Sequence, residues 1–449
     1  MSKNMIQLSD HFDYSRLIRF VLPCIGTMLF TSIYGIVDGL CVSNFVGKTA
    51  FAAVNLIMPV PMLVGTVGFM LGTGGSAIVG ITLGEGDQKK ADRYFTLFLL
   101  AALVSVSVLA VLGIVFLRPI AVLLGAKGEL LDYAVRYGRI LMVSLPTFAL
   151  QNMFQSFFVT AEKPHLGFWF TVGAGCTNMV LDVLMVGIWG WGVEGAAIAT
   201  FISQLVGGVL PVFYFIDRSN SSRLHLCKTS FYSKVLRDAC INGSSELMTN
   251  LSMSLVNILY NYQLLRLAGE NGVAAYGVIM YAAFLFVAVF VGYAVGSAPI
   301  VSFHYGARNH AEVHNLYRKS LRLIAVVAVT LTLASMFIIP CVARIFVGYD
   351  AELLALTSRA FRLYALSFLI MGFNVYASSF FTALGDGVTS ALISFLRTLA
   401  FQVIAILLLP LLLGIDGIWL AVTAAELAAL AVSAAMLLTK DKVFHYRKA

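Results

Sequence analysis

Apolar stretches of bilayer length follow one another along almost the whole chain, separated by short polar interruptions. There are twelve, at 17–42, 53–82, 94–117, 133–158, 167–190, 193–216, 236–264, 273–303, 321–347, 361–384, 388–413 and 415–438. Each holds about the 20 residues that an α-helix needs to cross a hydrocarbon core. Prolines recur within them, and lipid-buried helices tolerate these as kinks. The longest polar connection, 217–235, carries DRSNSSRLHLCK and separates six spans from six. The pattern predicts an all-α membrane protein of twelve transmembrane helices. An N-terminal six-helix lobe covers 1–216, a cytoplasmic linker 217–235, and a C-terminal six-helix lobe 236–449.

The two halves are copies. At an offset of about 222 residues Gly192 falls on Gly414, Gly195 on Gly417, Gly84 on Gly306, Gly47 on Gly269, and Thr160-Ala161 on Thr382-Ala383. Six spans per copy is an even number, so each copy starts and ends on the same side. That makes them parallel repeats about a pseudo-two-fold axis along the membrane normal. Such an axis leaves a central cleft that can open to either side in turn, an arrangement carriers use and channels or membrane enzymes do not require. The copies differ where the first is polar. Asp38 falls on Tyr260, Asn178 on Ala400, Asp182 on Ile404 and Thr200 on Val422.

Composition agrees with this class. Of 449 residues 60% are apolar and 12% charged, with mean hydropathy +0.90, against about 25% charged in soluble domains. The net charge of +8 does not indicate a nucleic-acid partner, because of where it sits. The tails and even-numbered loops hold twenty of the thirty Lys and Arg residues, including Lys89, Lys90, Arg93, Arg218, Arg308 and the Lys440–Lys448 tail. The opposite side holds nine, and Arg397 lies within a span. This positive-inside bias predicts both termini in the cytoplasm of a bacterial inner membrane. The six cysteines, Cys24, Cys41, Cys176, Cys227, Cys240 and Cys341, show no CxxC spacing, so neither a disulfide framework nor a zinc site is expected. The first apolar run follows Asp10 and Asp13 and is too long for a cleaved leader, so it is expected to remain as a signal anchor.

A charge at the centre of a span costs about 2.5–3.5 kcal/mol on the insertion scale, so an acid there needs a reason. Asp38, Asp182, Glu246 and Glu426 lie well within spans. Asn178 and Asp182 are spaced i,i+4 and share one helix face. Counted from the outer loops at ~1.5 Å per residue, Asp38, Asp182 and Thr200 fall at one depth. Oxygen ligands of this kind suit a hard cation. Two neighbouring carboxylates in low dielectric cannot both stay ionised unaided, so the pair would equally hold a proton.

These residues resemble the multidrug and toxic compound extrusion (MATE) transporters, within the group of oligosaccharide and lipid flippases, and the likeness covers the whole chain. In the DinF-like branch an Asp on helix one lies fifteen residues after a helix-bending Pro, as Asp38 follows Pro23. Helix five there carries Asn-x-x-x-Asp, then Gly-rich hairpin residues and a helix-six Thr, matched by Asn178, Asp182, GWGVEG and Thr200. The resemblance implies that Asp38, Asn178, Asp182 and Thr200 take up Na⁺ or H⁺, and that this uptake drives export. Pro23 is expected to be the hinge at which helix one bends when the acids are neutralised. The NorM-like branch uses a helix-seven Glu, matched by Glu246, and a helix-ten Asp, where this chain has Asn374 instead. Asn242, Glu246, Asn250, Asn257 and Asn261 form a polar stripe on helix seven. With Asn374, the first four are the expected contacts for a cationic, drug-like substrate.

Other features have plainer readings. Arg397 and Glu426 are expected to pair between helices eleven and twelve. Glu194 and Asp416 occupy equivalent interfacial turns. His310 and His314 are expected on a solvated face rather than in a metal site. GTGGS at 72–76 lies in a span without the Lys-Ser/Thr of a phosphate loop, so it reads as helix packing. A membrane enzyme would need intramembrane His, paired catalytic Asp motifs or a GxSxG-type nucleophile, and His304, near the end of helix eight, is the only His close to a span. The closest rival function, export of an anionic lipid-linked envelope precursor, would call for inward Arg or Lys beyond Arg397 alone. A monomer is expected, with no organic cofactor.

Overall fold

The computed structural model describes residues 6–46, 48–348 and 350–447, and among them there are helices and no strands. Gly47, Lys448 and the side chain of Cys41 lie outside the described residues; the other five cysteines are unpaired. The N-terminal half comprises α1 (Tyr14–Phe45), α2 (Lys48–Ile57), α3 (Pro59–Gly84), α4 (Gln88–Leu123), α5 (Glu129–Thr160), α6 (Pro164–Asp182), α7 (Gly192–Gly208) and α8 (Leu210–Ile216). The C-terminal half comprises α9 (Ser233–Asn242), α10 (Ser244–Gly306), α11 (His310–Val347), α12 (Ala351–Ala365), α13 (Phe368–Ala383), α14 (Gly387–Phe395), α15 (Phe401–Leu413), α16 (Ile415–Thr439) and α17 (Asp441–Phe444).

Nine helices of the described residues are long and apolar enough to cross a membrane, and the pair α12 and α13, bent by 46°, makes a tenth. The remaining two follow from local chemistry. α10 is two helices joined at Gly269, whose φ of 61° only glycine adopts without strain. α5, 32 residues long, carries Arg136, Arg139 and Gln151 among its apolar side chains, which lowers its hydropathy without shortening it. The twelve spans stand, with shifted ends. Helix ten begins at Ala351 rather than 361, because its first turns carry Arg359 and Arg362. Helix seven is broken at Gly243, so α9 is a short separate helix.

The repeat is visible in glycine geometry. Gly192 and Gly414, matched in sequence, have φ of 60° and 59° at the turns into α7 and α16. Gly84 and Gly306 face each other's helix where α3 crosses α10. A Cβ on Gly84 would meet the Phe303 carbonyl oxygen at 2.0 Å, and one on Gly306 would meet the Ile81 oxygen at 2.1 Å. Ile81 and Phe303 are themselves 222 apart, so this crossing is reciprocal and lies on the pseudo-two-fold axis. Ion pairs repeat too: Arg136–Glu194 at 3.5 Å in one half is mirrored by Arg359–Asp416 in the other, one position out of register.

The segment before α1 closes the face that carries both chain ends. Leu8 and Phe12 are fully buried. The Leu8 amide donates to Glu162 of the first half at 2.8 Å, and the Phe12 amide donates to Glu312 of the second at 2.9 Å. On the same face Lys440 pairs with Asp386 at 2.8 Å, and His314 Nδ1 lies 2.9 Å from the Tyr446 carbonyl. His310 and His314 are thus half-buried beneath the C-terminal segment, not on the solvated face expected from their neighbours. They packed inward because the tail folds back over them.

Candidate functional site: a buried carboxyl pair in the first lobe

α1 runs unbroken through Pro23 and packs along α6. The close approach is made at Gly175, where a Cβ would strike Phe30 at 2.5 Å and Tyr34 at 3.1 Å. Two turns further along both helices, Asp38 and Asp182 come together. Their carboxyl groups lie within hydrogen-bonding reach of one another, an interaction that forms only if one of them carries a proton. With both ionised, neither oxygen of Asp182 nor Oδ1 of Asp38 has any donor among the described residues. Asp182 is 0% exposed. A carboxylate so placed is tolerable only when a proton or a cation neutralises it.

Asn178 sits one turn before Asp182 on the same face, 2% exposed, with its amide nitrogen unpartnered. Just beyond Asp182 the helix widens into a π turn, Val183–Ile188, a distortion frequent at functional sites. Gly195 of α7 packs against the backbone of Met185 in that turn. Thr200, on α7, is half-buried, and its hydroxyl donates to the Ala196 carbonyl at 3.0 Å rather than to either acid. A residue not foreseen is Tyr137 of α5, 1% exposed and close enough for both acids to act electrostatically on its hydroxyl; Tyr34 is similarly close to Asp38. At the pseudo-equivalent place in the second half, the Tyr260 hydroxyl comes against the Val422 backbone without making a good hydrogen bond. The acids thus have apolar or phenolic counterparts.

The second half holds a different cluster. Arg397, within a π turn (Leu396–Ala400), donates to Glu426 Oε1 at 3.2 Å. Asn374 donates to Glu426 Oε2 at 2.7 Å and accepts from Ser433 at 2.9 Å. Asn374 is therefore saturated inside the bundle. Glu246 feels the Arg397 charge but makes no ion pair with it. The stripe expected on helix seven is dispersed. Asn242 ends α9 and donates to the backbone of Thr382 at 2.9 Å and of Gly74 at 3.4 Å. Asn250 bonds back to the Glu246 carbonyl, and Asn257, exposed, accepts from Asn261. The break at Gly243 is why: it separates Asn242 from the face that Glu246 and Asn250 share.

The MatE family model matches residues 23–184 and again 247–408, once in each half. The chain belongs to the MatE family. Both matches together cover more than half of its length; the first includes Asp38, Asn178 and Asp182, and the second includes Asn374 and Arg397. The multidrug export protein MepA of Staphylococcus saprophyticus is 21% identical to this MatE-family chain over 436 residues, 96% of this chain and 95% of that protein. A MATE transporter solved in complex with MaL6 superposes with a TM-score of 0.92 at 23% identity, over 100% of both chains. So does an outward-facing multidrug resistance MATE transporter of the MOP superfamily, at the same TM-score, identity and coverage. The fold is that of a multi-pass MATE membrane transporter.

Proposed function

We propose that this protein is a secondary active exporter of amphipathic, cationic small molecules, driven by exchange for H⁺ or Na⁺ at the Asp38–Asp182 pocket. The observation that carries the reading is the meeting of a fully buried carboxyl group, Asp182, with a half-buried one, Asp38, in one lobe only. The matched positions of the other lobe, Tyr260 and Ile404, cannot hold a small cation. The donor set fits either ion: among the described residues both Asp182 oxygens and Oδ1 of Asp38 are acceptors without donors, and Asn178 stands one turn away on the same helix face. The MepA relatives are multidrug export proteins, which supports the efflux reading.

In the exchange, an empty pocket leaves two charges repelling each other across α1 and α6. Entry of an ion from outside relieves that repulsion and lets α1 repack, with Pro23 as the hinge, so that the cleft contracts and releases its cargo. The ion gradient supplies about 1.4 kcal/mol per tenfold ratio, and each charge crossing 100 mV adds about 2.3 kcal/mol. Glu246 is the acid left to meet a cationic cargo, because Glu426 is already paired with Arg397. That same pairing disfavours an anionic lipid-linked cargo, for which Arg397 would have to be available. The face with both chain ends is assigned to the cytoplasm of a bacterial inner membrane by its excess of Lys and Arg. The test is ethidium efflux from cells expressing Asp38→Asn or Asp182→Asn. Loss of gradient-driven efflux in each is expected, and full activity in both would refute coupling through this pocket.

A further inference from the structure

The linker after α8 does not hang free; it lies along the start of α4. The His225 amide donates to Asp92 Oδ1 at 3.1 Å and the Cys227 amide to Thr96 Oγ1 at 3.1 Å. The Thr229 hydroxyl donates to the Arg93 carbonyl at 2.8 Å, and the Gln88 side chain to the Arg223 carbonyl at 2.6 Å. Between linker and helix these contacts leave a cavity of about 490 Å³, lined by Lys89, Arg93, Arg218 and Lys228 with His225 and Asp92. Four permanent cations face a single carboxylate, which already accepts from His225 and Gln88. Among the described residues none of the four cations forms an ion pair. His225 Nε2 is enclosed there without a partner. Such an open pocket, with exposed donors in excess, suits an anion.

Its height along the protein says which anion. Arg93 precedes Leu100, the first exposed large apolar side chain of α4, by seven residues, or about 10 Å of helix. Phe231, 75% exposed, stands three residues beyond Lys228, where interfacial aromatic side chains anchor. The cations are thus at the level of phosphates, with acyl chains beginning beside Leu100. We propose that this cavity binds the phosphate headgroup of an anionic phospholipid, pinning the inter-lobe linker to the first lobe. Basic pockets at the membrane surface bind acidic headgroups in this way. The inference needs only that this face lies at one membrane surface, and it is independent of the ion coupling proposed above.

Native mass spectrometry of the full-length protein in detergent tests it, with phosphatidylglycerol, phosphatidylcholine and inorganic phosphate as separate probes. Phosphatidylglycerol should bind in preference to phosphatidylcholine. Arg93→Gln/Lys228→Gln should weaken it roughly thirtyfold. The charge-conserving Arg93→Lys/Lys228→Arg should retain it, as should Arg318→Gln/Lys442→Gln, which removes two exposed cations of the same face. Unaltered binding in the first variant, an equal loss in the last, or reproduction of the effect by inorganic phosphate alone would overturn the assignment.

Discussion

Adding a single methyl group at Gly84 should prise the two lobes apart at their crossing. A Cβ there would lie 2.0 Å from the Phe303 carbonyl oxygen and 2.8 Å from the Ala307 nitrogen, where ordinary contact begins at 3.4 Å. Both obstacles are backbone, so no side chain can swing away, and α3 must retreat from α10 by about 1.4 Å. Overpacking of this kind costs about 1–3 kcal/mol. Conformations in which the lobes part at this face escape that cost, so Gly84→Ala should enrich them about 5- to 150-fold. Gly306→Ala meets the Ile81 oxygen at 2.1 Å and should do the same. One retreat relieves both clashes, so the double variant should fall short of the sum by about 1 kcal/mol or more. The readout is maleimide labelling of Cys24, buried where α1 meets Gly296 of α10, in a background whose other cysteines are Ser. Labelling should accelerate in each single variant, and the melting temperature should fall. Wild-type labelling in both, or strictly additive effects in the double variant, would refute the reciprocal crossing.

Two further predictions concern charges in the second lobe. Burial alone would raise the Asp386 carboxyl, but the Lys440 ammonium and the hydroxyl and amide of Thr389 outweigh it and hold the acid below the usual carboxylate range. A depressed acid contributes stability above its ordinary value of about 3.9 and loses it as pH falls through its folded value. Lys440→Met should therefore lower stability by about 1–2 kcal/mol at pH 7, with the gap closing below about pH 4 in denaturation curves. Glu426→Gln leaves Arg397, only 12% exposed, without its counter-charge and should cost about 3–5 kcal/mol in thermal stability. Glu426→Gln/Arg397→Met should recover most of that loss, and a double variant no more stable than the single would count against the pairing.

The legible parts of this molecule are those where lipid makes polarity expensive. Asp38 and Asp182 stood out because an acid in a span needs compensation, and counting rises along α1 and α6 put them at one depth. Arg397 and Glu426 were paired by the same reasoning. Tyr137 was not legible, since a tyrosine in an apolar helix carries no signal until its neighbours are known. Asn242 stands apart from the helix-seven stripe because periodicity assumes a continuous helix, and Gly243 breaks it where α9 and α10 press against α3. The repeat revealed Gly84 and Gly306 as equivalent, but not that the missing side chain of each lets the backbone of the other's helix approach. A match of sequence to sequence shows symmetry and leaves contact to the three-dimensional packing.

The most direct measurement of the coupling claim is ion displacement by substrate. Purified protein at pH 7 is titrated with ethidium while released protons and bound radioactive sodium are counted in parallel. The wild type should give up about one H⁺ or Na⁺ for each dye bound. Asp38→Asn/Asp182→Asn should still bind the dye and give up neither. Undiminished ion release from that double variant would contradict the coupling claim.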